Sequence, residues 1–312
     1  MSVRSVWLKS FSLLILLYYT LAVGDHIDLY SYDKNIFELT ASTFNKVVHK
    51  SNASTLVQFY APWCGYSRQL VPTYQHLAKL VHEKNCWAVN IAAVNCEKES
   101  NRQLCSEYQI KGFPTLLVFR PPKYEKKLAS KGRHVVEPYQ GERKVNAISA
   151  FLNSRMKNWV KKFRSIRLDS LRDWIEGDDT TKKVILLTKN SQTLPLYKSL
   201  AINFYGNVSF GMITLNSKNE INGDTITYKG NRIKIPVHSA NDIPALLAFD
   251  ELSQLFVKYN QKCNDIKSIT KWLKDVTKKE PQEGPYSKKE QNYLSQIRSG
   301  KRKKINKKRD EL

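Results

Sequence analysis

The chain has 312 residues, 41% of them hydrophobic and 25% charged, enough apolar material for real cores, which excludes a disordered or fibrous chain. The 51 Lys and Arg against 28 Asp and Glu leave a net charge of +23, which taken alone suggests nucleic acid or an anionic surface as partner. Five cysteines are too few for a disulfide-built scaffold, and the odd number leaves at least one thiol without a partner inside the chain.

In chain order, residues 1–24 read as a secretory signal peptide. Arg4 and Lys9 form a basic leader, Phe11 to Leu21 is apolar and uncharged, and Ala22-Val23-Gly24 supplies small residues for cleavage after Gly24. The alternative is an uncleaved anchor, but the apolar run is about half of the ~20 residues that span a bilayer. Asn52-Ala53-Ser54 is a glycosylation acceptor in a lumenal chain. Thr55 to Tyr60 predicts a buried strand. From Cys64 to Leu80 the spacing of Leu70, Tyr74, Leu77 and Leu80 predicts a helix, with a kink expected at Pro72. Strand-like Trp87 to Val94, a short helix over Asn101 to Tyr108, a strand over Thr115 to Phe119 and a helix over Val145 to Lys157 follow. This alternation predicts an α/β sheet with crossover connections.

The pattern then recurs. Val184 to Thr188, Val208 to Leu215 and Leu255 to Tyr259 are strand-like. Leu194 to Phe204 and Ile266 to Val276 are helical, and Pro244 to Phe249 parallels Pro114 to Phe119. Asn207-Val208-Ser209 is a second glycosylation acceptor. The second half therefore reads as a diverged copy of the first, with the boundary near 155–162. Pro281, Gly284 and Pro285 are expected to end the compact structure. The basic stretch after them is read as a solvated, mobile tail. Arg309-Asp310-Glu311-Leu312 has the form of an endoplasmic-reticulum retention address. Paired with the signal peptide, it predicts residence in the lumen of that compartment, which permits disulfides and holds no DNA. The positive charge is then read as serving solubility or acidic client segments, with no nucleic acid and no membrane among the partners once the signal is removed.

Residues 56–67 read L-V-Q-F-Y-A-P-W-C-G-Y-S. A cysteine that follows a buried strand and opens a helix meets unpaired backbone N–H groups and the positive end of the helix dipole, so its thiolate is favoured. That thiolate is the nucleophile of disulfide exchange, although a bare cysteine in such a place is more often inert. The stretch A-P-W-C-G-Y-S resembles the A-P-W-C-G-H-C site of the protein disulfide isomerase family. Gly112-Phe113-Pro114-Thr115 resembles that family's cis-proline loop, and Tyr139-Gln140-Gly141 its closing turn. The likeness covers roughly residues 28 to 155, and the layout is similar to the small fungal disulfide isomerases of the endoplasmic reticulum with one active domain.

The resemblance implies two tandem thioredoxin-like domains, a catalytic one over 25–155 and a redox-inactive one over 156–280, followed by a basic tail over 281–312. It implies that Cys64 is catalytic, with Trp63, Gly65, Tyr66, Ser67, Gln58, Pro114 and Arg120 around it, and that Trp63, Phe113 and Pro114 contact substrate. It also implies a structural disulfide between Cys96 and Cys105. Cys86 and Cys263 are left unpaired, and no cofactor or metal is expected because no His/Cys cluster has ligand spacing.

Three departures matter. Ser67 stands where the family has its second cysteine, so Cys64 has no internal disulfide partner and oxidation of clients should be weak or absent. Gln58 stands where the family has a buried Glu that relays a proton, and Tyr66 where it has a His. The function implied is isomerisation of folding secretory proteins by thiol–disulfide exchange through one cysteine. Unfolded or misfolded secretory proteins would be the clients, and other isomerases or lumenal chaperones are candidate partners. The alternative is a non-catalytic holdase that uses Cys64 as a covalent clip at most.

Overall fold

The computed structural model describes residues 28–122, 133–166, 169–177, 181–215, 225–237 and 240–298. The leader, the last part of the basic stretch and the C-terminal tetrapeptide lie outside these residues. The protein is a mixed α/β molecule built on two five-stranded sheets.

The first sheet contains β1 (Phe37–Leu39), β2 (Ser54–Tyr60), β3 (Val89–Asn95), β4 (Thr115–Arg120) and β5 (Val135–Pro138), in the order β1-β3-β2-β4-β5. β1 and β2 run parallel to β3, whereas β4 runs antiparallel to β2 and β5 antiparallel to β4. β2 and β3 are buried at every residue, because both faces of the sheet are covered. On one face Leu56 and Tyr60 pack against Leu70, Tyr74 and Leu77 of α2 (Gly65–Lys79) and Ile148 and Leu152 of α4 (Val145–Arg155). On the other, Val57 and Phe59 meet Phe44 of α1 (Ala41–Phe44) and Leu104 of α3 (Glu99–Glu107).

The helix α2 is continuous through Pro72. Two residues on, the Tyr74 hydroxyl reaches the Ala92 carbonyl at 2.7 Å and fastens the helix to the sheet. After Lys79 the chain widens into a turn of π geometry over Leu80–Lys84, closed by Asn85 N–H on the Leu80 carbonyl.

The second sheet repeats the strand order and senses of the first. β6 (Lys161–Phe163), β8 (Val208–Thr214) and β7 (Lys182–Thr188) are parallel, then β11 (Ala245–Asp250) and β12 (Leu255–Lys258) are antiparallel. One face is covered by α5 (Asp169–Glu176) and the hairpin β9 (Thr225–Tyr228)–β10 (Asn231–Lys234), the other by α6 (Pro195–Asn203) and α7 (Ile266–Thr277). Asp265 caps α7, its carboxylate accepting from the N–H groups of Lys267 and Ser268.

The two sheet units meet through specific contacts. Ala88 N–H donates to Ser199 Oγ at 3.0 Å, Lys198 Nζ donates to the Asn153 carbonyl at 3.4 Å, and Trp159 packs against cores on both sides.

One expectation is overturned. The compact structure does not end near Pro281. Gln282 N–H donates to the Asn203 carbonyl, Glu283 is 6% exposed, and α8 (Ser295–Arg298) follows a π-type turn, Glu290–Leu294, whose Leu294 is 3% exposed in the first unit's core. Tyr293 lies under Lys46 Nζ at 5.1 Å from the ring centroid. The cause is apolar spacing hidden among charges: Tyr293, Leu294 and Ile297 share the face turned to the first unit's core.

Candidate functional site

β2 is fully buried, and its C-terminal end leads to Cys64 at the mouth of α2. Cys64 is the N-cap residue, with φ −72° and ψ 120°, so its side chain sits over the helix's first unpaired N–H groups. It is partly exposed and not disulfide-bonded. Its thiol is held below the ordinary cysteine value chiefly by the Ser67 backbone N–H, with the Tyr66 N–H and the Arg68 charge adding to it against a smaller opposing effect of burial. The thiol also lies 3.4 Å from the Phe113 carbonyl.

Around it the site is apolar and open. Trp63 is 60% exposed and meets Phe113 edge-to-face at 6.2 Å. Tyr66 is 69% exposed. The Phe113–Pro114 peptide bond is cis. A Cβ on Gly65 would meet nothing within 4 Å, so the glycine leaves the approach to the sulfur clear without being demanded by packing. Arg143 Nη2 donates to the Pro114 carbonyl at 3.2 Å and braces the loop. Its role had no signal in the sequence, because it comes from a different loop 29 residues away.

Gln58 and Ser67 are both fully buried. Strand alternation puts Gln58 on the same face as Leu56 and Tyr60, toward α2. Its Oε1 accepts from the Tyr30 hydroxyl at 2.7 Å, whereas its Nε2 has no partner among the described residues. Behind it lies a polar cluster that the sequence did not announce. Tyr60 donates to Glu38 at 2.9 Å, and Glu38 lies close to Asp28, itself paired with Lys98. Burial, reinforced by the Asp28 charge, pushes the Glu38 carboxyl well above the usual carboxylate range. A single acid between Phe37 and Leu39 looks like an outward-facing strand residue, and only the packing of Tyr30 and Tyr60 encloses it.

Arg120 is not a neighbour of Cys64. In the β2–β4 register Phe59 lies opposite Thr115 and Thr55 opposite Phe119, so Arg120 sits at the far end of the sheet, paired with Glu137 at 3.4 Å. Glu137 is also held by Arg155 through two bonds of 2.6 and 2.8 Å. The antiparallel return of β4 carries Arg120 away from the site that Pro114 faces.

Cys96 and Cys105 form a disulfide with a Cα–Cα distance of 6.0 Å, tying the end of β3 to α3. A closed loop of this length contributes about 3 kcal/mol. Cys86 and Cys263 are unbonded, and burial pushes both thiols up. Asn52 N–H donates to Glu283 Oε1 at 3.3 Å, and Asn207 Nδ2 donates to the Glu280 carbonyl at 2.8 Å. Both Asn-x-Ser motifs therefore border the C-terminal segment.

The thiol environments predict a separable pH response. Lowering the pKa favours thiolate, so Cys64 should alkylate with an inflection below that of a free cysteine, and Cys86 and Cys263 with inflections above it. Iodoacetamide rates followed residue by residue by mass spectrometry across pH 6–10 check this. At neutral pH Cys64 should be the fastest by at least about tenfold.

The thioredoxin family model matches residues 35–154. Protein disulfide-isomerase MPD1 of Saccharomyces cerevisiae is 33% identical over 288 residues, covering 88% of this chain and 88% of that protein. A mitochondrial thioredoxin domain-containing protein of Schizosaccharomyces pombe is 35% identical over 173 residues, 55% of this chain and 44% of its own. Among solved structures, full-length ERdj5 superposes with a TM-score of 0.42 at 14% identity, over 78% of this chain and 33% of its own. The chain belongs to the protein disulfide-isomerase family.

Proposed function

We propose that this protein is an isomerase of the endoplasmic-reticulum lumen that exchanges disulfides of folding secretory proteins through Cys64 alone. The observation that carries this reading is the pairing of a thiol stabilised as thiolate at the mouth of α2 with a serine, not a second thiol, one helical turn on. The Cys64 thiolate attacks one sulfur of a client disulfide, forming a Cys64–client bond and releasing the other client sulfur as thiolate. A second client thiolate then attacks the client sulfur of that mixed disulfide and returns Cys64 as thiolate. No electrons are gained or lost overall, so no internal partner for Cys64 is needed. Net oxidation would require one, and Ser67 does not supply it.

The test is reactivation of a scrambled-disulfide substrate in a redox buffer. Wild type should restore activity, and Cys64→Ala should fall to the uncatalysed rate. Equal rates would end the enzymatic reading. The exposed Trp63 and Tyr66 favour client holding as a second reading. In that case both proteins would suppress aggregation of a reduced client equally, with no reactivation by either.

Lumenal residence rests on the leader and on Arg309-Asp310-Glu311-Leu312. Deleting the last four residues should move most of the protein from cells to medium, as a blot of both fractions would show. Unchanged retention would sink this assignment of the tetrapeptide.

A further inference from the structure

The C-terminal segment touches both sheet units. Its first half lies on the second unit. Lys278, in the left-handed conformation, ends α7 and turns the chain. Glu280 pairs with Lys274 of α7 at 2.9 Å, and its carbonyl accepts from Asn207 Nδ2 at 2.8 Å. The N–H groups of Gln282 and Glu283 both donate to the Asn203 carbonyl at the end of α6, at 2.6 and 3.2 Å. Tyr286 packs against the second unit's core. The other half lies on the first unit. Lys289 Nζ donates to the Lys50 carbonyl at 3.2 Å, and Tyr293, Leu294 and Ile297 join the core that holds Phe37 and Phe59.

Glu283 holds both units at once. Asn203 of the second unit fixes its backbone. Its carboxylate, on a residue 6% exposed, accepts from the Ser51 hydroxyl at 3.4 Å and the Asn52 N–H at 3.3 Å, both of the first unit, and from Lys289. A carboxylate so enclosed is costly unless donors surround it. Two of its three donors are correctly placed only while the units keep this orientation. Gly284 sets the approach. Its φ is +78°, and a Cβ there would fall 2.6 Å from the Asn203 side chain, so the close passage over α6 requires glycine. Among the described residues α8 lies along β1, whereas the elements of the two sheet units meet at points such as the Ala88–Ser199 bond. Residues 156–160, which join the units, are in neither helix nor strand.

We propose that residues 279–298 are a strap that locks the second unit in one orientation against the first, with Glu283 as its catch. Each unit has its own sheet and its own core, so the strap can open without unfolding either one. Opening frees the second unit to turn about residues 156–160, a hinge transition between two discrete arrangements. The device does not depend on the chemistry of Cys64.

Hydrogen exchange of the full chain tests this. The reporter is the Ala88 N–H, which donates across the units to Ser199 Oγ and touches no residue of the strap. Mass spectrometry with electron-transfer fragmentation resolves it from its neighbours. In Gly284→Ala and in Glu283→Lys, Ala88 should exchange at least about tenfold faster than in wild type, as expected for a local opening. The strands Ser54–Tyr60 and Lys182–Thr188 should stay protected, which shows that both units remain folded. Glu283→Gln keeps an oxygen for Ser51 and Asn52 and loses only the charge opposite Lys289, so its effect should be smaller than that of Glu283→Lys. Small-angle X-ray scattering of the same variants should show a larger radius of gyration. Unchanged protection of Ala88 in both variants overturns the proposal, because the units then hold their orientation without the catch. Loss of protection in either strand together with Ala88 also overturns it, because the segment would then be part of a unit's fold and not a lock between units.

Discussion

Ser67→Cys should give this protein oxidase activity. Position 67 lies one turn into α2, three residues after the N-cap cysteine, and its backbone N–H is the chief group that favours the Cys64 thiolate. A thiol there is within reach of a disulfide with Cys64. In an oxidised-glutathione buffer it can attack a Cys64–glutathione bond, releasing glutathione thiolate and closing an internal disulfide; one client thiolate opens that disulfide and a second displaces the client from Cys64, leaving the client oxidised and the site reduced. Oxidative refolding of a reduced client should be near the uncatalysed rate with wild type and at least about tenfold faster with the variant. Wild type should instead accumulate client-linked species that vanish on reduction and are absent from Cys64→Ala.

Adding Gln58→Glu should accelerate the variant further, for a reason visible in the packing. Oε1 of residue 58 accepts from Tyr30, and a carboxylate keeps that bond. The amide nitrogen it would replace has no partner among the described residues, so no hydrogen bond is lost. A carboxyl buried here has a raised pKa and can accept the proton of the attacking thiol near neutral pH. Glu38 on β1, beyond β3 in the same sheet, shows the direction in which this interior pushes a carboxyl. If Ser67→Cys yields no oxidase, the defect lies in more than the missing thiol. If the double variant is slower than the single one, position 58 has no part in proton transfer.

Leu294→Ala should destabilise the protein by about 2–5 kcal/mol, the cost of deleting a fully buried leucine side chain. This is a large effect for a residue in a segment that reads as a charged tail. Leu294 is buried in the same core as Phe37, Phe59 and the Cys96–Cys105 pair, and α8 lies along the edge strand β1. The segment reaches that position under guidance from polar anchors. The Glu283 carboxylate accepts from Lys289 at 2.9 and 3.1 Å and from Ser51 and Asn52. Covering an edge strand also removes a template for aggregation. Urea unfolding of wild type, Leu294→Ala and the exposed control Gln291→Ala checks this. A control-sized loss in Leu294→Ala would mean that the segment does not stay docked in solution.

Most regular elements were legible because their own residues carry the pattern. Ser54–Tyr60 is apolar along its length, α2 repeats its apolar residues every three or four positions, and α7 does the same under an Asp cap. The A-P-W-C-G-Y-S run was legible for a similar reason, since a cysteine at the junction of a buried strand and a helix is a local arrangement. What local pattern cannot hold is any feature defined by a partner far along the chain. Phe37–Leu39 and Lys161–Phe163 are three-residue strands that exist only because β3 and β8 pair with them. Arg120 looked like a neighbour of the active site, and only the antiparallel register of β4 against β2 sends it to the other end of the sheet. The C-terminal segment looked solvated because its lysines outnumber its apolar residues. Its place was decided by three apolar side chains and one buried carboxylate that find their partners more than two hundred residues away. Sequence alone thus determined the longer strands and helices and the place of the candidate nucleophile Cys64, because these depend on periodicity and on neighbours within a helical turn. The enclosed Glu38 carboxyl and the docked C-terminus were decided by tertiary structure, because burial and charge pairing are properties of the surfaces that meet and not of the segment that supplies them.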